Sequence, residues 1–163
     1  MALDHLWAGW RSEYIESATK APRGECLFCA LAGMDDAEAM ILERTDLTFT
    51  VMNAYPYTSG HVMVAPLRHE GMLAALSADE AAALMLGVQR ASIAIDAAYS
   101  PEGQNAGLNL GRAAGAGVPG HLHAHVLPRW GGDTNFMTAV AEVRVLPESL
   151  RAGYDKLRAA WPR

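Results

Sequence analysis

The sequence predicts an α+β domain: an antiparallel sheet of about five strands, one long helix, and helices at the N- and C-terminal ends. Three observations carry this. Residues 121–127, HLHAHVL, place a histidine at every second position with apolar residues between, the period of a strand whose two faces differ. Residues 39–67 hold three more apolar runs, AMILER, LTFTVMN and HVMVAPL, parted by turn residues as strands are. Residues 77–99 open with Ser-Ala-Asp-Glu and continue in Ala and Leu, a capping box followed by a helix.

The elements follow in order. Leu3, Leu6, Trp7, Trp10, Tyr14 and Ile15 recur at helical spacing, so residues 1–24 form a helical extension. CLFCALAG is a short apolar element closed by Gly33, and MDDAEA is a polar turn. AMILER and LTFTVMN are two antiparallel strands split near Asp46; NAYPYTSG is a loop; HVMVAPL is a strand closed by Pro66. After the long helix, SPEGQNA is a turn, GLNL a strand, and GRAAGAGVPG a glycine-rich loop into the histidine strand. MTAVAEVRV is extended, and residues 148–163 form a C-terminal helix behind Pro147.

With 163 residues, 51% hydrophobic and 19% charged, the chain is one globular domain, 1–163. A net charge of −5 argues against a broad nucleic-acid surface, though a pocket can still make a local field for a phosphate. No stretch approaches the roughly 20 apolar residues of a membrane span, and the N-terminus carries no export signal. A cytoplasmic location is expected, and there the two cysteines, Cys26-x-x-Cys29, point to metal or redox chemistry rather than a structural disulfide.

On a strand, His121, His123 and His125 share one face while Leu122, Ala124 and Val126 face a core. Imidazole titrates near ~6.5 and serves as nucleophile, proton carrier or metal ligand. One alternating histidine would be unremarkable; three behind a glycine-rich lead-in outweigh a strand that merely carries histidines.

His-apolar-His-apolar-His-apolar-apolar, as His121-Leu122-His123-Ala124-His125-Val126-Leu127, resembles the signature of the histidine triad (HIT) family at every position. NAYPYTSGHVMVAP (residues 53–66, with Gly60-His61) and LNLGRAAGAG resemble the family's strand-loop-strand segment and its glycine-rich approach. PRWGGDTNFM after the triad resembles a branch that includes bacterial diadenosine tetraphosphate phosphorylases. The resemblance implies a HIT-like fold, a homodimer, no organic cofactor, and nucleotidyl transfer. His123 would attack the α-phosphorus of a nucleoside polyphosphate, a nucleotidyl-histidine would form, and water or phosphate would release it. His125 would donate to a phosphate or leaving-group oxygen, and the His121 carbonyl would orient His123.

The resemblance also implies a nucleotide pocket. Asn53 would hold the ribose hydroxyls and Asn109 would reach the phosphates; Phe28, Leu31, Val51 and Met52 would sandwich the base, with core packing as the plainer role of those four. The loop 112–120, through Ala116, Gly117 and Val118, offers backbone N–H groups but no Gln or Ser where many family members place one. Arg129 could balance phosphate charge, and Trp130 could stack on a base or pack at a subunit interface.

One Cys-x-x-Cys is a weak zinc signal, and the histidines open to it are His5, His61, His69, His121 and His125. Zinc-bearing relatives of the family pair such a motif with a histidine after Pro-x-x-His and with the first triad histidine. That resemblance implies a structural Zn²⁺ on Cys26, Cys29, His69 and His121. The alternatives are buried thiols or a redox pair. For the whole protein, they are a nucleoside phosphoramidase, an enzyme for sulfur-linked nucleotides, a slow nucleotide-sensing module, or a hydrolase with a catalytic metal on the triad.

Overall fold

The computed structural model describes residues 26–133 and 146–162. The expected N-terminal helix, His5 included, and the extended MTAVAEVRV lie outside the described residues, which in other respects follow the α+β expectation. Five strands, β1 (Ile41–Arg44), β2 (Thr48–Met52), β3 (Val62–Pro66), β4 (Gly103–Leu108) and β5 (Ala124–Arg129), form one sheet in the order β1-β2-β3-β5-β4. Every neighbouring pair is antiparallel.

Among the described residues four α-helices accompany it: α1 (Leu27–Ala32), α2 (Asp36–Ala39), α3 (Ala78–Tyr99) and α4 (Leu150–Ala160). The polar turn expected at MDDAEA closes into α2 because the Asp35 carboxylate accepts from the N–H groups of Ala37 and Glu38. In α3 the capping box forms: the Ser77 hydroxyl accepts from the Glu80 N–H and Glu80 returns to the Ser77 N–H. α4 starts at Leu150 rather than 148, where Ser149 caps the Ala152 N–H.

β2 and β3 are buried along their whole length, because both faces of the sheet are covered. On one face Met52, Val62, Val64, Ala124 and Val126 pack against Leu84, Ala91 and Ile95 of α3 and Tyr154 and Leu157 of α4. On the other, Phe49, Val51, Met63 and Ala65 pack with Phe28 and Ile41. α3 lies close to the sheet at Gly87, where a Cβ would meet Val64 Cγ1 at 2.6 Å. By length and composition α3, at 22 residues, is long and apolar enough to cross a membrane, contrary to the expectation that no stretch approaches a membrane span. Its outer face exposes Met85, Leu86 and Ile93.

Two boundaries differ from expectation near the site. β4 begins at Gly103, inside the expected turn, because pairing with β5 runs from Gly103↔Arg129 to Leu108↔Ala124 and overrides the weak strand preference of Gly-Gln-Asn. β5 begins at Ala124, so His121 and His123 precede the strand and only His125 is within it.

Candidate functional site

The site is built where α1, the loop after β3 and the approach to β5 meet. Cys26, Cys29, His69 and His121 put one sulfur or ring nitrogen each within 4.8 Å of all the others. Cys26 Sγ is 3.3 Å from His121 Nδ1, and Cys29 Sγ is 3.4 Å from His69 Nδ1 and 3.7 Å from His121 Nδ1. A tetrahedral zinc with Zn–S of ~2.3 Å and Zn–N of ~2.0–2.1 Å sets such atoms about 3.5 Å apart. The His121 tautomer also fits: Nε2–H donates to the Pro66 carbonyl at 2.8 Å, which turns the Nδ1 lone pair to the cluster. These four residues could hold a metal ion, and two thiolates with two imidazoles suit zinc. The His69 loop is pinned beside the triad, since Leu122 N–H donates to Glu70 O at 2.6 Å and a Cβ on Gly71 would meet Pro119 O at 2.5 Å.

The same helix fixes the middle histidine. Phe28, between the two cysteines, lies against His121 at 5.2 Å and His123 at 4.7 Å between ring centroids. His123 is 6% exposed, and its Nδ1–H donates to the His121 carbonyl at 2.9 Å. That leaves Nε2 of a neutral ring with an available lone pair. Burial pushes the His123 pKa below the usual imidazole value, against the carbonyl's opposing pull, so the neutral form prevails at pH 7.

His125 is oriented by a chain that starts at a backbone amide. Tyr57 N–H donates to His61 Nδ1 at 3.1 Å, and Asn53 Nδ2 approaches the same atom at 3.2 Å. A backbone N–H can only donate, so His61 Nδ1 bears no proton and Nε2 carries it. His61 Nε2–H then donates to His125 Nδ1 at 3.0 Å. His125 in turn keeps its proton on Nε2, as a donor. Burial and then the neighbouring His123 lower the His125 pKa to about 4, so His125 is a neutral hydrogen-bond donor at pH 7. Tyr57 stacks against the ring at 5.8 Å between centroids, with the planes inclined by 28°.

Of the expected nucleotide contacts, the structure brings some to the triad and not others. Asn53, 6% exposed, spends Oδ1 on Tyr55 N–H and one Nδ2 hydrogen on His61, leaving one donor and one acceptor site. Asn109 lies beside His125 in a groove of about 220 Å³. Met52 does not face the triad: it points into the helix-side core, the consequence of strand alternation next to Val51. Phe28 and Val51, each 1% exposed, offer a base no surface and are core residues, with Leu31 and Val118 packed on the same cluster. In the glycine-rich loop the N–H groups of Ala114, Gly115 and Ala116 turn back onto Gly111 and Arg112 carbonyls, so those of Gly117 and Val118 remain the donors to consider there. Arg129 is bound bidentately by Asp133 at 2.6 and 2.9 Å, and Trp130 packs edge-on against Tyr99, beyond the far end of β5 from His123.

His61 and Tyr57 are the participants the sequence did not assign. The sequence offers His61 as a possible metal ligand and, in Gly60-His61, as part of the segment that resembles the family, but not as a partner of His125, which is brought near by the long-range pairing Met63↔His125. The available signal was a histidine at the start of an apolar strand, where a fully buried imidazole needs partners on both nitrogens.

Comparison with known proteins agrees with this arrangement. The HIT domain model matches residues 35–132. The AP-4-A phosphorylase of Mycobacterium tuberculosis is 38% identical over 99% of this chain and 86% of its own length. An uncharacterised HIT-like protein of Saccharolobus solfataricus is 30% identical over 69% of this chain and 79% of its own. The crystal structure of a Zn-bound histidine triad family protein from Mycobacterium smegmatis superposes with a TM-score of 0.69 at 30% identity, covering 83% of this chain and 92% of that one. With its triad, its five-stranded sheet and these matches, the chain belongs to the HIT domain family.

Proposed function

We propose that the protein is a nucleotidyltransferase that cleaves a dinucleoside polyphosphate of the diadenosine tetraphosphate kind at its α-phosphate, with orthophosphate as acceptor. The observation that carries this reading is the His123 Nδ1–H donated to the His121 carbonyl, which readies Nε2 as nucleophile. The Nε2 lone pair forms a bond to the α-phosphorus, and the P–O bond to the polyphosphate breaks, its electron pair leaving with that oxygen. The imidazolium formed shares its positive charge through Nδ1–H with the His121 carbonyl. His125 Nε2–H hydrogen-bonds the departing oxygen. An orthophosphate oxygen then attacks phosphorus, the P–N bond breaks, and Nε2 regains its lone pair. Diadenosine tetraphosphate gives ATP in the first step and ADP in the second.

Two observations support this over a phosphoramidase or a sensing module. The His61 Nε2–H bond to His125 Nδ1 fixes the His125 proton on Nε2, a hydrogen-bond donor suited to the oxygen of a polyphosphate that departs as a stable anion. The 38% identical relative is named for phosphorolysis. Cys26, Cys29, His69 and His121 would hold zinc as a structural ion that ties α1 to the triad, and no step calls for an organic cofactor. The thiolates suit a reducing, cytoplasmic setting. The reading includes a homodimer: among the described residues β4 pairs on one side only, and Gln104 joins it to Ser92 and Asp96 of α3, whose exposed Met85, Leu86 and Ile93 lie on the outer face. An antiparallel edge is self-complementary about a two-fold axis. Mass measurement in solution tests the dimer, and a monomer at micromolar concentration overturns it.

The test of activity is a product assay with diadenosine tetraphosphate, with and without orthophosphate. ADP plus ATP appearing only with phosphate supports the reading. AMP plus ATP in both conditions makes the acceptor water, and no turnover overturns the substrate class.

A further inference from the structure

We infer that the leaving half of the substrate lies in a groove over β4, and that Gly107 sets how large that half can be. This rests on the reading above. The group that departs must lie by His125, whose Nε2–H meets the departing oxygen. The groove of about 220 Å³ adjoins His125 and is lined by Tyr57, Asn105, Gly107, Asn109 and Leu127 among others. It is smaller than the roughly 300–1,000 Å³ of a pocket for a whole ligand, which suits one part of a larger substrate.

Its floor follows from register. Gly107 pairs with His125 and Asn105 with Leu127, so all four positions share the triad's face. A Cβ on Gly107 would meet nothing within 4 Å, so the position opens onto the groove that Gly107 lines. Asn105 has a fixed orientation. Arg129 Nη1 donates to Asn105 Oδ1 at 2.7 Å, and because a guanidinium only donates, the atom it meets is the carbonyl oxygen. The Asn105 NH₂ is left to donate elsewhere. The groove thus offers amide donors from Asn105 and Asn109 and an aromatic wall from Tyr57. This is chemistry for the oxygens of a phosphoanhydride chain with the nucleoside beyond it.

The test compares kcat/KM for two substrates with the same nucleotidyl half: diadenosine tetraphosphate and adenosine 5′-phosphorofluoridate, whose leaving group is one fluoride ion. Gly107→Ala and Gly107→Val are each checked for Tm and run beside the wild type. The ratio of kcat/KM, dinucleotide over fluoridate, is expected to fall about tenfold to a hundredfold for Val, with Ala between, the scale of excess bulk in a specific pocket. Asn105→Leu, which removes the amide donors at similar size, should lower the same ratio about tenfold. A ratio that stays within about twofold of wild type for both Gly107→Val and Asn105→Leu overturns the inference. Failure of the wild type to use either substrate overturns the functional reading instead, and this inference with it.

Discussion

Replacing His61 by Phe removes the link that orients His125 while keeping an aromatic ring of similar size. His61 is fully buried and accepts from Tyr57 N–H and donates to His125 Nδ1. The substitution leaves the Tyr57 N–H without that acceptor and frees the His125 ring to turn or change tautomer. An orphaned buried donor costs about 1–3 kcal/mol, so stability should fall by roughly that amount. The catalytic loss is bounded on both sides. Loss of the orienting hydrogen bond alone, about 1–1.5 kcal/mol, gives roughly tenfold in kcat. Loss of the donor altogether gives ~10²-fold or more. KM should change little, because His61 does not touch substrate. His61→Gln, whose carboxamide can still donate toward His125, should recover part of the rate. The assay is single-turnover release of the first product, with His125 tautomer read from its ring ¹⁵N shifts. A His61→Phe variant that keeps kcat within about threefold, with His125 still protonated at Nε2, would refute the reasoning.

Three further outcomes follow from the same geometry. The His125 pKa is depressed below the unfolded value, so folding favours the neutral ring: stability is full above about pH 6.5 and is lost as pH falls toward 4. His125→Gln should flatten that part of a Tm-against-pH curve, and an unaltered curve contradicts the assignment. Chelation, or Cys26→Ser, should lower Tm and disturb the His123 ring signal through Phe28 and the His121 carbonyl; protein isolated without added zinc that holds less than a quarter of an atom per chain counts against the site. Gly87→Ala sets a Cβ 2.6 Å from Val64 Cγ1. Overpacking of about 1–3 kcal/mol outweighs a helix-propensity gain of about 1 kcal/mol, so urea denaturation should show a small net loss, relieved by Val64→Ala.

What could be read from the sequence were features with a local cause. The capping box at Ser77 and Glu80, the antiparallel β1–β2 pair, and the alternation that turns Leu122, Ala124 and Val126 to the core each rest on neighbours in the chain. The Cys26, Cys29, His69 and His121 set was legible only through family resemblance, since no spacing rule joins residues 95 apart. What was missed has long-range causes. β4 exists over Gly103–Gln104 because β5 pairs with it. Met52 is the exception: of its two expected places, base or core, it takes the core for a local reason, because alternation beside Val51 turns it to the helix face. Phe28, expected at the base or in the core, takes the core: its ring fills the space between His121, His123 and Phe49. His61 stayed without a role because its tautomer is set by Tyr57 N–H, and its proton is used by a histidine 64 residues away.

The proposed reaction requires that His123 Nε2 take the nucleotidyl group. The most direct measurement is intact-protein mass spectrometry of enzyme mixed with diadenosine tetraphosphate and quenched within one turnover, followed by peptide mapping under neutral conditions. The expected result is an adduct of one adenylyl group on His123, absent in His123→Ala and discharged to ADP when orthophosphate is added. Steady turnover with no adduct in the wild type, or turnover that survives His123→Ala, would contradict it.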